Sequence, residues 1–177
     1  MTVHEATVRW RFDGEPRAFR QGQYSRAHTW TFDGGLCLPA SPSPAVVKPP
    51  HSDPSAVDPE EAFVASVSSC HMLTFLYLAH RRGFEVRGYE DRALGTMTKN
   101  ERGVPWVSRV VLRPHVTYGS RAPSADEEAA LHERAHAECF IANSVRTDIV
   151  VEPGDGASPD AAAPPASTKP PVVTNGE

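Results

Sequence analysis

Several features that mark membrane, secreted or nucleic-acid-binding proteins are missing from this chain. No apolar run approaches the roughly 18 residues of a transmembrane helix, so we expect no membrane span. The first residues, MTVHEATVRWRFDG, lack the charged, apolar and small-residue regions of a secretory signal. A net charge of -4, without a basic run interleaved with aromatics, argues against a nucleic-acid surface. We therefore expect a cytoplasmic protein with neither a membrane nor a nucleic acid as partner.

Cysteine is scarce, with three residues in the chain, at Cys37, Cys70 and Cys139. Thiols in the cytoplasm are kept reduced, so a structural disulfide framework is not expected. The three residues are then free thiols, metal ligands or catalytic groups.

The composition is that of a globular protein with one domain. Hydrophobic residues make up 40% and charged residues 23% of the 177 positions. Residues 153–177 are rich in proline and alanine and contain no aromatic residue, so they cannot bury enough apolar surface to offset the entropy of ordering. We predict one domain over residues 1–152 and a disordered tail over 153–177.

The patterning predicts an α+β fold. The first third has strand alternation and a hairpin in RAHTWTF-DGG-LCLP, and a helix of about 24 residues begins at Pro59. Two β-rich runs, 84–99 and 107–118, are separated by turn residues, a second helix begins after Ser124 and ends near Cys139, and a last strand covers 146–152. The predicted order is three strands, a long helix, two strands, a helix and a strand.

The long helix has an unusual surface. Between Ala62 and Ala79 it carries almost no charge and shows small or apolar residues on every side, which predicts burial all round. A single chain of this size has little material to cover every face of such a helix. We therefore expect a dimer.

The sequence HERAH at 132–136 is a literal H-E-x-x-H motif. In that motif two histidines on one helix face bind zinc and the glutamate acts as general base, which would give His132, His136 and Glu133 these roles. No histidine follows His136 to complete the longer zinc motif. The alternative is a solvated or half-buried helix face that carries the spacing by coincidence.

Cys70 lies midway along the long helix and has two interpretations. Buried cysteines often act as small hydrophobic residues. A reactive cysteine must instead be a thiolate, which needs a nearby cation and a hydrogen-bond donor. An arginine supplies both, and a carboxylate such as Glu60 can hold that arginine in place.

Three segments resemble the OsmC/Ohr family of organic hydroperoxide reductases. DPEEAFVASVSSCHML resembles the family's N-P-E-x-L-x-x-A-x-x-x-C segment, with Glu60 ten residues before Cys70, and AHAECFIANSV resembles its second cysteine segment. RAHTWTFDGG resembles the N-terminal hairpin that carries the active-site arginine, which falls on Arg26. The resemblance covers the chain from about Ser25 to Pro153.

The resemblance implies an OsmC-like fold, with antiparallel sheets around a long buried central helix, in an intertwined homodimer. It also implies a thiol peroxidase without metal or bound cofactor. Cys70 would attack an organic hydroperoxide and become a sulfenic acid, and Cys139 would condense with it to form a disulfide. A dithiol reductant, which could be a lipoyl protein, a thioredoxin or a small thiol, would reopen that disulfide. Arg26 would stabilise the thiolate and Glu60 would orient Arg26.

The chain departs from the family pattern in two places. Glu61 follows Glu60 and could share its role, and Phe140 replaces the common proline after Cys139. Phe75 and Phe140 are candidates for an apolar substrate pocket, His71 and Asn143 lie beside the thiols, and Cys37 has no assigned role. Two alternatives stay open: a zinc hydrolase built on HERAH, and an OsmC-like protein that binds a small apolar ligand without catalysis.

Overall fold

The computed structural model describes residues 2–152, so the tail over 153–177 lies outside the described residues. The first third forms an antiparallel sheet of β1 (Ala6–Arg9), β2 (His28–Phe32) and β3 (Cys37–Ala40). The predicted β2–β3 hairpin is confirmed: the Gly34 N–H donates to Asp33 Oδ1 at 2.8 Å, and Gly35 takes a φ of 82°. Cys37 begins β3 and is exposed. A short helix α1 (Pro16–Arg20), which the sequence reading did not predict, connects β1 to β2.

The long helix α2 spans Pro59–Arg81, as predicted from Pro59. Its first turn is a complete capping box, in which the Asp58 carboxylate accepts from the Glu61 N–H and the Glu61 carboxylate accepts from the Asp58 N–H. Proline at the first helical position adds a residue whose φ already suits a helix. The start of α2 is therefore fixed by local chemistry.

Two expectations for α2 need correction. By length and composition alone, α2 is apolar enough to cross a membrane. The expectation that no segment is long and apolar enough for a membrane span is therefore wrong. The core helix of a folded domain passes the same test, and α2 packs against strands and a second helix of this chain. The helix is also not buried all round in the single chain. One stripe of its surface is exposed, at Ala65, Ser66, Ser69, Leu73 and Tyr77.

The two β-rich runs form four strands rather than two. These are β4 (Val86–Asp91), β5 (Leu94–Lys99), β6 (Pro105–Leu112) and β7 (Pro114–Tyr118). β4 pairs with β7 and β5 pairs with β6, so each run crosses from one sheet to the other. Asp91 holds the crossing point, because its carboxylate accepts from the Arg113 N–H at 2.7 Å and from the Ser68 hydroxyl on α2 at 2.5 Å.

The second helix and the last strand occur where the sequence placed them. Helix α3 spans Ala125–Glu138, with a capping box at Ser124 and Cys139 as its C-terminal cap. A 3₁₀ turn (Ala142–Ser144) leads to β8 (Asp148–Val151). The expected antiparallel pairing holds for the other described strands, whereas β8 pairs in parallel with β6.

The core has two parts that meet along α2. The first half of α2 packs on the β5–β6–β8 sheet, in a cluster of Val67, Val110, Leu112 and Ile149. Its second half packs on α3 and the β4–β7 sheet, in a cluster of Phe75, Leu78, Ala79, Phe84, Leu131 and Ala135. The junction of the two clusters is the middle of α2, where Cys70 lies.

Candidate active site

The two cysteine segments meet in the fold. Cys70 is half-buried on α2 and Cys139 is buried at the end of α3. The turn after α3 wraps both sulfurs: the Ile141 N–H donates to Cys70 Sγ at 3.4 Å, and the Ala142 N–H donates to Cys139 Sγ at 3.5 Å. Backbone donors of this kind favour a charged sulfur.

The two thiols differ in their electrostatic surroundings. Burial, together with the hydrogen bond to Cys70, raises the pKa of Cys139 to about 11. Cys139 therefore stays protonated near neutral pH. In that state its S–H can donate to the sulfur of Cys70.

The turn that carries Cys139 is held by Asn143. Its side-chain amide donates to the carbonyl oxygens of Ala137 and Cys139, each at 2.9 Å. These bonds satisfy carbonyls that the end of α3 leaves without helical partners. Asn143 therefore fixes the loop and does not touch either sulfur through these bonds.

Arg26 does not contact either thiol through any hydrogen bond or ion pair of residues 2–152. Its guanidinium stacks on Tyr24, with Cζ 4.3 Å from the ring centroid, and Nη1 donates to the Tyr24 carbonyl at 3.4 Å. Its backbone N–H donates to the carbonyl of His51 at 3.0 Å. The arginine is thus held at the beginning of β2, in a segment joined to the loop that precedes α2.

The two neighbouring glutamates have different roles. The Glu61 carboxylate closes the capping box with Asp58, so it is already used at the start of α2. Glu60 lines a cleft of about 720 Å³ between α2 and β5, and neither thiol is among the residues lining it. Ten residues of helix separate Glu60 from Cys70, which is about 15 Å at 1.5 Å per residue. Within one chain Glu60 cannot reach the thiols.

The two candidate pocket residues lie in different environments. Phe75 is fully buried, stacks on His132 at 4.3 Å between ring centroids, and belongs to the core cluster. It therefore packs the core in the single chain. Phe140 follows Cys139 directly and is 83% exposed. Its ring is available at the surface next to the thiol pair.

The first histidine of the HERAH motif, His132, does not lie on a solvated helix face. His132 is buried, and its Nδ1 lies 3.1 Å from Nε2 of His71 on α2. Within residues 2–152, no group of three or more histidine, cysteine or acidic side chains is arranged to hold a metal ion. The sequence of α3 does not predict the His71–His132 pair, because the partner histidine lies 61 residues away on α2.

An α+β domain in which two helices bring two reduced cysteines together is a dithiol protein. The model of the OsmC-like protein family matches residues 52–153, and the chain belongs to this family. It also resembles the solved structure of an OsmC-like protein of unknown function from Vibrio cholerae, with 49% identity and a TM-score of 0.82 over 86% of this chain and 99% of that one.

More distant structures share the fold. An organic hydroperoxide resistance protein from Legionella pneumophila is 16% identical with a TM-score of 0.63, over 87% of this chain and 96% of its own. The organic hydroperoxide resistance protein OhrB from Bacillus subtilis is 18% identical with a TM-score of 0.58, over 86% of this chain and 97% of its own. No curated protein matches the chain significantly.

Proposed function

We propose that this protein is a cysteine-dependent peroxidase that reduces organic hydroperoxides to alcohols. The observation that carries the proposal is the pair itself: a half-buried Cys70 beside a buried Cys139 whose raised pKa keeps it protonated. A peroxidatic cycle needs these two states, one sulfur to attack and one thiol to follow. The hydroperoxide resistance proteins among the structural relatives support the choice of substrate class.

The first step forms a sulfur–oxygen bond. The Cys70 thiolate attacks the distal oxygen of the hydroperoxide, the O–O bond breaks, and the leaving alkoxide takes a proton to become the alcohol. Cys70 is oxidised to a sulfenic acid and the peroxide is reduced by two electrons. The N–H of Ile141, 3.4 Å from Cys70 Sγ, stabilises the negative charge on sulfur before the attack.

The second step uses Cys139. Its sulfur attacks the sulfenic sulfur of Cys70, the Cys70–Cys139 disulfide forms, and the hydroxyl leaves with the thiol proton as water. An external dithiol then reduces the disulfide by exchange. The exposed ring of Phe140 beside Cys139 offers such a reductant an apolar contact.

Arg26 and Glu60 enter the site in this proposal from a second copy of the chain. The exposed stripe of α2 contains the small residues Ala65, Ser66 and Ser69, which let two helices approach closely. If two α2 helices cross antiparallel at Ala65, Glu60 lies five residues to one side and Cys70 five to the other. Each Glu60 then lies beside the partner's Cys70.

The N-terminal sheet supports the same intertwined homodimer. Its extensive contacts with other strands or helices are all within the sheet: β2 packs on β1 and on β3. Its link to the body is local, through the bridge of Ala40 to Val57 and the bond from Arg26 to His51. A sheet attached in this way is free to cover the exposed stripe of a second copy's α2, and to carry Arg26 there.

The test is peroxide turnover by purified protein with cumene hydroperoxide and excess dithiol. We expect Cys70→Ser to abolish consumption, and Cys139→Ser to leave a sulfenic acid on Cys70 that mass spectrometry detects after trapping. Cys37→Ser is the matched control and should keep wild-type turnover. Equal consumption by Cys70→Ser and wild type would contradict the proposal and favour a non-catalytic ligand-binding role. Stoichiometric zinc that is lost in His132→Ala would favour the hydrolase instead.

A further inference from the structure

The two helices that carry the thiols are joined by a buried pair of imidazoles. His71 on α2 and His132 on α3 are 1% and 2% exposed, and His71 Nε2 lies 3.1 Å from His132 Nδ1. The two ring planes are within 7° of each other. This hydrogen bond links a side chain of α2 directly to a side chain of α3.

We propose that the His71–His132 hydrogen bond positions the two helices for the second step of the proposed reaction, so that the Cys139 thiol meets the sulfenic acid on Cys70. Both histidines are positioning residues, since no hydrogen bond within residues 2–152 joins either ring to a sulfur. The inference rests on the proposed function, because it assigns a residue pair to one step of that cycle.

The places of the two histidines in the chain support this role. His71 directly follows Cys70 on α2, and His132 lies seven residues before Cys139. Seven residues are about two helical turns, so His132 and Cys139 lie on the same side of α3. A helix moves as a rigid element over two turns. Any slide or rotation of α3 at His132 therefore moves Cys139 relative to Cys70.

Packing alone is a poor explanation for histidine at these positions. The outer ring nitrogens, His71 Nδ1 and His132 Nε2, are buried without a hydrogen-bond partner in the described structure. Burying polar atoms without partners is unfavourable, and two leucines would pack the helices without that penalty. What the imidazoles add is direction, because a hydrogen bond holds at one distance and angle, whereas apolar surfaces can slide.

The bond also requires that at least one of the two rings be neutral. One ring must donate its N–H to the lone pair of the other, and two protonated imidazoles would place two N–H groups and two positive charges 3.1 Å apart. Burial lowers the pKa of both histidines to about 4, so both are neutral at neutral pH. The titratable groups near the pair are His136 and Glu133 on α3, while Val151 of β8 lines the same side. Tyr89 of β4 packs on Phe75, whose ring stacks on His132.

The experiment compares two double variants of the full chain with Cys37→Ser as background. His71→Leu with His132→Leu keeps apolar packing and removes the bond. His71→Gln with His132→Asn places an amide at each bonded nitrogen, since Gln reaches the Nε2 position and Asn the Nδ1 position, and cannot be protonated near neutral pH. Each reduced protein is mixed with one equivalent of cumene hydroperoxide, and the sulfenic acid on Cys70 is trapped over time.

We expect the leucine variant to form the sulfenic acid at the wild-type rate and to retain it about tenfold longer, the factor that one hydrogen bond represents. The amide variant should restore the short lifetime. Near pH 4, where the imidazoles of the wild type take up protons, the lifetime should lengthen more in the wild type than in the amide variant. An unchanged lifetime in the leucine variant would overturn the proposal, as would equal slowing in Leu131→Val, a packing control one residue from His132.

A second measurement separates this inference from the peroxidase proposal. In glutathione buffers the Cys70–Cys139 disulfide forms as oxidised glutathione is reduced to two thiols, with no peroxide involved. We expect the leucine variant to need about tenfold more oxidising buffer for half-conversion. If that shift occurs while the wild type forms no sulfenic acid with hydroperoxide, the positioning role stands and the peroxidase proposal falls. Identical equilibria would overturn the positioning role.

Discussion

At the scale of single residues, the buried imidazoles determine how the fold responds to acid. The pKa of His71 and His132 is about 4 in the folded chain and about 6.5 when unfolded, so between these values the unfolded chain binds more protons. The free energy of unfolding should therefore stay level above pH 6.5 and fall as the pH drops from 6.5 to 4. The loss is at most about 3 kcal/mol for each imidazole.

Urea unfolding at a series of pH values measures this slope. His71→Gln with His132→Asn should flatten it across the window. His80→Gln, which removes an exposed histidine from the same helix, should leave it unchanged. A wild-type free energy that stays constant down to pH 4 would show that the pair does not resist protonation.

Individual residues were predictable where the signal is local. Cys70 and Cys139 each lie in a short recognisable segment, and the structure brings them together. The different roles of Glu60 and Glu61 could be assigned only from the structure, because the hydrogen bonds show that Glu61 caps α2. The buried state of His132 could not be read from α3 alone, since its partner lies 61 residues away.

At the scale of elements, neighbouring residues at the start of α2 are expected to affect either the stability of the fold or the turnover of peroxide. Asp58→Ala removes the acceptor of the Glu61 N–H, 2.7 Å away, and should lower stability by about 1 kcal/mol. For a chain of this size that corresponds to a fall in Tm of about 2–4 °C. Thermal melts followed by circular dichroism would measure it, and peroxide turnover per folded molecule should change little.

Glu60→Gln is the matched control at the next but one position. It leaves the cap intact, so Tm should stay at the wild-type value, while turnover falls if Glu60 orients Arg26. A melting loss equal to that of Asp58→Ala would mean that Glu60 supports the fold and that its assignment to the site is mistaken.

The elements themselves were predictable to different degrees. Both helices could be placed from capping residues and from apolar spacing, which are local signals. The strand crossings could not, because the break at Asp91 depends on bonds to Arg113 and Ser68, distant in sequence. The parallel pairing of β8 with β6 is likewise a property of the assembled sheet and leaves no pattern in either strand.

At the scale of the whole molecule, the proposed dimer predicts complementation between two inactive variants. Cys70→Ser and Arg26→Ala should each lack peroxide turnover as pure proteins. If Arg26 serves the thiols of the other subunit, a mixed dimer contains one complete site, formed by the Cys70 of one chain and the Arg26 of the other. Co-expression followed by separation of the mixed species should therefore recover about half of the wild-type turnover per dimer.

Recovery of no turnover in the mixed dimer would mean that each site is built within one chain. The supporting control is Leu73→Glu, which places a charge in the exposed stripe of α2, where Leu73 is 60% exposed in the single chain. Light scattering should then report a monomer. Its Cys70–Cys139 disulfide should still form in glutathione buffer, because both thiols belong to one chain.

The odd number of thiols in the chain determines how the exposed Cys37 can be oxidised. Each chain holds three thiols, and in the proposed cycle the Cys70–Cys139 pair accounts for one two-electron oxidation within the chain. The third thiol has no counterpart of its own, and an odd number of thiols cannot all be oxidised to disulfides inside one molecule. Prolonged exposure to oxidant therefore ends in a covalent link between chains or in a mixed disulfide with a small thiol. Non-reducing gels of the oxidised protein should show the covalent link between chains as a band of twice the mass.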